Sequence, residues 1–216
     1  MKPSNRLPWR LSIFFTVLLL TACSIPKTKP QPVYYYTLDN KPLELSFPNR
    51  VPAVVRVERF AAGPPYDSQQ IIYGDKGLYR NAYANFKWIA LPGELLAYDL
   101  ARDMQQCGGF QAVLTPQASS PPTHAINGFV EQFLEEDFSE PAQAALKVGI
   151  TLIDTREPDP IKRILLQKNY SFKSPCEEKT PAALAQAMSA AAAKLNAQII
   201  QDIHRCLSQT SSHTKD

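Results

Sequence analysis

Residues 180–207 read TPAALAQAMSAAAAKLNAQIIQDIHRCL, and this stretch decides the fold. Thr180 is a helix-capping residue, and Pro181 suits the first helical position, where its missing N–H costs nothing. Leu184, Met188, Ala191, Leu195, Ile199 and Ile203 then recur at helical spacing as one apolar stripe running to Leu207. At 1.5 Å per residue this helix is about 40 Å long, enough to cross a whole sheet. A single apolar stripe needs a single apolar surface to bury it, and the segments upstream supply one.

Three longer strands are predicted as a meander over residues 124–135, 144–155 and 161–172. In the second, Leu146, Val148, Ile150 and Leu152 alternate with Lys147, Gly149 and Thr151; in the third, Ile164, Leu166, Tyr170 and Phe172 share a face. Shorter strands are predicted at 33–38, 53–60 and 110–114, with an irregular hairpin over 70–73 and 82–89. Pro92 opens a first helix whose Leu96, Leu100, Met104 and Cys107 form one stripe, and Gly108-Gly109 ends it. The pattern predicts an α/β two-layer sandwich: a mixed, mostly antiparallel sheet with two helices packed on one face. Alternating directions in this order place the end of the first helix and the start of the second at one end of the sheet. Cys107 is then expected near Cys176, with Cys206 at the far end, so any disulfide is expected between Cys107 and Cys176.

The N-terminus carries Lys2, Arg6 and Arg10 and no acid, followed by an apolar run from Leu11 to Leu20 and then Thr21-Ala22-Cys23. The run is shorter than the ~20 residues of a membrane span, and the pattern is that of a secretory signal. LTAC at 20–23 also fits the bacterial lipobox, so residues 1–22 are read as a lipoprotein signal peptide. Cys23 is read as the lipidated first residue of the mature chain, carrying a diacylglycerol and an N-acyl chain. The proline-bearing stretch 23–32 is read as a flexible tether, 33–207 as one folded domain and 208–216 as a disordered tail. Losing residues 1–22 takes the formal net charge from +3 to about zero. No basic run remains to neutralise phosphates, so nucleic acid is not an expected partner. Attachment to a membrane falls to the lipid, and Ser24, where inner-membrane lipoproteins commonly carry Asp, points to the outer membrane.

The search for catalytic chemistry is negative. No GxSxG, HExxH, CxxC or GxxxxGK[ST] occurs, and His124, His204 and His213 stand alone. His204 and Cys206, two apart on a helix, point about 200° from each other. Glu131, Glu135, Glu136, Asp137 and Glu140 cluster near a strand end, either as acid–base candidates or as a solvated hairpin end. The expectation is a chain that is not an enzyme and holds no metal and no cofactor besides its lipid. Two features stand apart: the stiff turn AGPPYD at 62–67, and the aromatic stretch 81–89 with Tyr83, Phe86 and Trp88. Aromatics at a sheet end are either core or a binding edge for a partner or an acyl chain.

These segments carry a family resemblance. After the lipobox come YYYTL at 34–38, VVRVE at 54–58, YDSQQIIY at 66–73, Trp88 and PGELL at 92–96. The order resembles the auxiliary lipoproteins of ABC-type transport systems, the family of the PqiC-like lipoproteins of Mce-type systems. It covers nearly all of residues 23–207, with Ser68-Gln69 standing where many members have Leu and Arg-Pro. The resemblance implies an outer-membrane, periplasm-facing lipoprotein working with an MCE-domain protein and an inner-membrane permease–ATPase. It implies phospholipid or another hydrophobic cargo, homo-oligomers in some members, and a fold similar to the N-terminal domain of TolB. Tyr66, Gln70, Ile71 and Trp88 are its anchors; with Tyr83 and Phe86 they make up the expected partner-binding set. Rival readings are a TolB-like or wall-synthesis-activating envelope lipoprotein and a periplasmic hydrolase. Cys23→Ala is expected to leave a folded chain that moves from the membrane to the soluble fraction on cell fractionation; retention in the membrane would refute the lipoprotein reading.

Overall fold

The computed structural model describes residues 31–41, 43–74, 78–138 and 140–213, so the signal, Cys23 and the tether up to residue 30 lie outside the described residues. In chain order the elements are β1 (Tyr34–Tyr36), β2 (Val51–Val57), β3 (Ala61–Ala62), a 3-10 turn (Pro64–Tyr66), β4 (Gln70–Gly74) and β5 (Asn81–Trp88). They continue with α1 (Pro92–Gln106), β6 (Phe110–Leu114), β7 (His124–Glu136), β8 (Gln143–Asp154), α2 (Pro160–Arg163), β9 (Ile164–Pro175) and α3 (Pro181–His213).

One edge of β7 pairs with β8 along its whole length, and β8 in turn pairs with β9; both ladders are antiparallel. The other edge of β7 is shared among three short parallel strands: β2 meets residues 124–126, β3 meets 129–130 and β4 meets 134–136. β6 continues the sheet beyond β2, and β5 and then β1 continue it beyond β4. The result is the α/β sandwich expected, with a mixed sheet that divides on one side of β7. Most pairings are parallel, but the two longest are antiparallel.

The helices bury the stripes that their sequences present. Leu96, Leu100 and Met104 of α1 and Leu184, Met188, Ala191, Leu195, Ile199 and Ile203 of α3 are all buried. The N–H of Ala183 donates to Thr180 Oγ1 at 3.2 Å, which makes Thr180 the cap. Gly108, with φ of 66°, takes the left-handed position that closes α1. α3 runs on to His213, past the tail predicted from 208, and measures about 50 Å. There the hydroxyls of Ser208 and Thr210 donate back to the carbonyls of His204 and Cys206 and keep to the helix. The third meander strand starts later than predicted: Asp159 caps the short turn α2, and Ile161 projects from it 85% exposed.

The described residues of 37–50, which carry no regular structure, form a strap over the helices. The Asp39 N–H donates to Ser189 Oγ, Leu38 is buried, and Phe47 stacks on His204 with ring centroids 3.9 Å apart. His204 also lies 2.9 Å from the Asn49 carbonyl oxygen.

The expected Cys107–Cys176 pair does not form. All three cysteines from Cys107 onward are free thiols, with Cys107 and Cys176 buried. The expectation took β6 as antiparallel to β7, whereas both run parallel to β2. That reversal puts Cys107 at the end of the sheet where Gly109 sits against His204, near the C-terminus of α3. Cys176 sits at the other end, where its N–H donates to the Ala142 carbonyl.

Phe60 locks α1 to the sheet. A Cβ on Gly93 would lie 2.2 Å from the Phe60 carbonyl oxygen, and one on Gly128 would lie 2.3 Å from the Phe60 ring. Backbone cannot move aside as a side-chain tip can, so Gly93→Ala is expected to cost about 3 kcal/mol in urea unfolding. Gly63→Ala, whose Cβ would meet its nearest atom at 3.7 Å, should stay within about 0.5 kcal/mol of the parent.

Candidate functional site

Three strands at one side of the divided sheet bring five aromatic rings into a strip. Tyr34 of β1 stacks on Phe86 of β5 with centroids 5.6 Å apart, and Tyr36 lies 6.2 Å from the same ring. Phe86 meets Tyr83 edge-on at 6.1 Å, and Tyr83 meets Tyr73 of β4 at 4.9 Å. Tyr83 and Phe86 would point to opposite faces of a regular strand. They share a face because the β4–β5 register shifts between Gln70 and Ile72, leaving a bulge in β5. The Tyr83 hydroxyl donates to Glu135 Oε2 at 2.7 Å, which ties the strip to β7. Burial drives the Glu135 carboxyl above its usual range, against the pull of that hydrogen bond. Tyr34 is 52% and the neighbouring Tyr35 54% exposed on this edge strand.

Of the six residues expected to bind a partner, three belong to the core. Tyr66 closes the 3-10 turn and is buried, Ile71 is fully buried, and Trp88 packs edge-on against Phe133 at 5.0 Å. Gln70 is exposed, and Tyr83 and Phe86 are half-buried members of the strip. Tyr34, Tyr36 and Tyr73 were not singled out from sequence. The alternation of Tyr34 and Tyr36 marks a shared face, but nothing in it signals the parallel pairing with β5.

Four of the five acids in the cluster are dispersed into pairs, while Asp137 keeps an Oδ1 buried without a hydrogen-bond partner. Glu131 binds Lys147 at 2.6 Å, Glu136 binds Lys173 at 2.5 Å, Glu135 takes the Tyr83 hydroxyl and Glu140 lies 3.8 Å from Lys179. His124 lies 2.8 Å from Thr123 Oγ1 and 3.9 Å from Asp154, an order that resembles a nucleophile, base and orienting acid. The hydroxyl is engaged, however: Thr123 Oγ1 accepts from the Val54 N–H and donates to the Val54 carbonyl, lacing β2 to the start of β7. Burial lowers the pKa of His124 and raises that of all three thiols, Cys176 to about 11.

A pair of buried carboxylates escaped the sequence reading. Asp99 and Asp103 lie one turn apart on the buried side of α1. Arg102 reaches both, at 2.5 and 2.8 Å, and the Asn196 amide of α3 donates to both, at 2.9 and 2.8 Å. Asn40 of the strap donates to Asp99 at 2.6 Å. Burial and the neighbouring Asp103 push Asp99 up to about 6, against the opposing pull of Arg102 and the two amides. A raised carboxyl favours the folded state only while protonated. Its contribution is full below the unfolded value near pH 4 and is lost as pH rises through 6. Stability should therefore fall by about 2–3 kcal/mol across that window. Urea unfolding at pH 4, 5, 6 and 7 should show a shallower fall in Asp99→Asn; identical slopes would assign the titration elsewhere.

No curated protein matches the chain. Among solved structures it is similar to protein XCC0632 from Xanthomonas campestris, with 16% identity, a TM-score of 0.71, and 83% of this chain and 99% of that one covered. It is also similar to an uncharacterized protein at 15% identity and a TM-score of 0.63, covering 80% of this chain and 99% of that one. At such identities the likeness is one of fold. Residues 36–200, which take in β2 to β9, α1 and most of α3, match the family described as the ABC-type transport auxiliary lipoprotein component, and the chain belongs to that family.

Proposed function

We propose that this chain is a non-enzymatic docking subunit of an Mce-type ABC lipid-transport system. In this reading the lipid on Cys23 holds it at the periplasmic face of the outer membrane. It binds a periplasmic MCE-domain protein, which works with an inner-membrane permease–ATPase to move phospholipid or another hydrophobic cargo between the two membranes. The observation that carries the reading is the aromatic strip on the edge of a family member's sheet. Tyr34, Tyr83 and Phe86 are large, stiff side chains held against one another and half open to solvent, the kind of surface on which binding energy concentrates. Edge strand β1 adds an unpaired backbone rim beside it.

A photo-crosslinking residue in place of Tyr35, with a second in place of Ile161 on α2 as control, tests this in cells. The expected result is an adduct with an MCE-domain protein from position 35 only, weakened about tenfold by Phe86→Ala. Adducts with wall-synthesis or Tol-type proteins alone would move the chain to envelope assembly.

A further inference from the structure

The outer face of β7, β8 and β9, turned away from the helices, holds an open groove of about 540 Å³. Register sets its lining in two rows across the three strands. One row is Asn127, Thr151 and Gln167, and the other is Phe129, Gly149 and Asn169. Three strands at ladder spacing span about 10 Å, and the rows lie about 7 Å apart. Gly149 makes the hollow: a Cβ there would sit 2.9 Å from Asn169 Oδ1 and 3.8 Å from Glu131 Oε1. Phe129 is 47% exposed on a strand paired along both edges. Gln167 makes only a long bond, 3.4 Å, to Thr151 Oγ1. The charge at the rim is already used, Glu131 by Lys147 at 2.6 Å, and Lys168 turns its side chain to the helix side, where it pairs with Asp202 at 2.7 Å.

We propose that this groove binds a neutral glycan, a short run of pyranose rings. A pyranose offers an apolar C–H face that lies against an exposed phenyl ring, here Phe129, and a rim of groups that both donate and accept hydrogen bonds. Carboxamides and a hydroxyl answer in kind, since Asn127, Gln167, Asn169 and Thr151 each do both. An acyl chain in the groove would strip water from those amides and return no hydrogen bond. An anionic headgroup calls for a free cation, and both lysines are held by carboxylates. Membership of a membrane-anchored lipoprotein family puts the chain in the cell envelope, among glycan polymers. The hollow is shallow and open, so the affinity is weak, with a Kd of about 1 mM. This site is separate from the aromatic strip, and the inference does not depend on the MCE partner.

Saturation-transfer NMR on the purified full chain in detergent micelles, with tri-N-acetylchitotriose as probe and sorbitol as the open-chain polyol comparison, tests it. Transfer to the ring and acetamido protons of chitotriose is expected, at least fivefold above that to sorbitol. Gly149→Val, which fills the hollow against a movable Asn169 side chain, and Phe129→Ala should each reduce it at least fivefold. Asn127→Ala should reduce it as well, with thermal unfolding of all three variants unchanged within a few degrees. Absent transfer, equal transfer to sorbitol, or transfer that survives Gly149→Val in folded protein would each overturn the proposal. So would transfer to dihexanoyl phosphatidylglycerol in place of the sugar, which would make the groove a headgroup site.

Discussion

Everything else in the fold hangs from the two edges of β7. One strand of thirteen residues carries an antiparallel ladder along one side, with a single register shift at Glu131, and three separate parallel strands on the other. A strand paired along both edges leaves few backbone groups without partners in the core, and it sets the level of its neighbours. β2, β3 and β4 take the same edge in succession, and the chain needs room to step between them. Phe60 occupies the first step. Its ring lies over Gly128 and its carbonyl against Gly93, so the gap between β2 and β3 is filled from the sheet side and gripped from the helix side. The bulge in β5 belongs to the same division, on the branch that leaves β7 through β4.

Much of this was legible in the sequence. The stripe on α3 and the alternation in β8 reflect periods of 3.6 and 2, and both survive into the structure because burial is what selects them. Neighbours and directions were harder to read. Alternation in 110–114 tells which side chains go inward but not that the strand lies parallel to β2, and the misplaced Cys107–Cys176 pair followed from that gap alone. The aromatic stretch was marked from sequence, yet its division into core (Trp88) and surface (Tyr83, Phe86) depends on a bulge with no glycine or proline to announce it. Asp99 and Asp103 did leave a trace. They sit three residues after Leu96 and Leu100, on the flank of the apolar stripe, where a carboxylate must find a partner or shift its pKa.

The buried carboxylates join parts that the hydrophobic core does not distinguish. Apolar packing would allow α1 and α3 to slide along one another at modest cost, whereas Asn196 reaches Asp99 and Asp103 from only one register. Asn40 brings the strap into the same arrangement. With two carboxylates and one guanidinium, the cluster gives up some stability at neutral pH in return for a defined alignment of three segments.

The strap has a mechanical side. Tension entering the fold at Val33 acts along β1, which lies parallel to β5, so its few hydrogen bonds are loaded in shear, all together rather than one after another. A strand of three residues yields early under such a load. Behind it the chain turns directly into the strap, where the Asp39 N–H is held by Ser189 and Asn40 by Asp99, both on the helices. A pull that peels β1 away therefore stops at the helix layer, and the sheet beyond β5 keeps its shape while the rim of the aromatic strip comes loose.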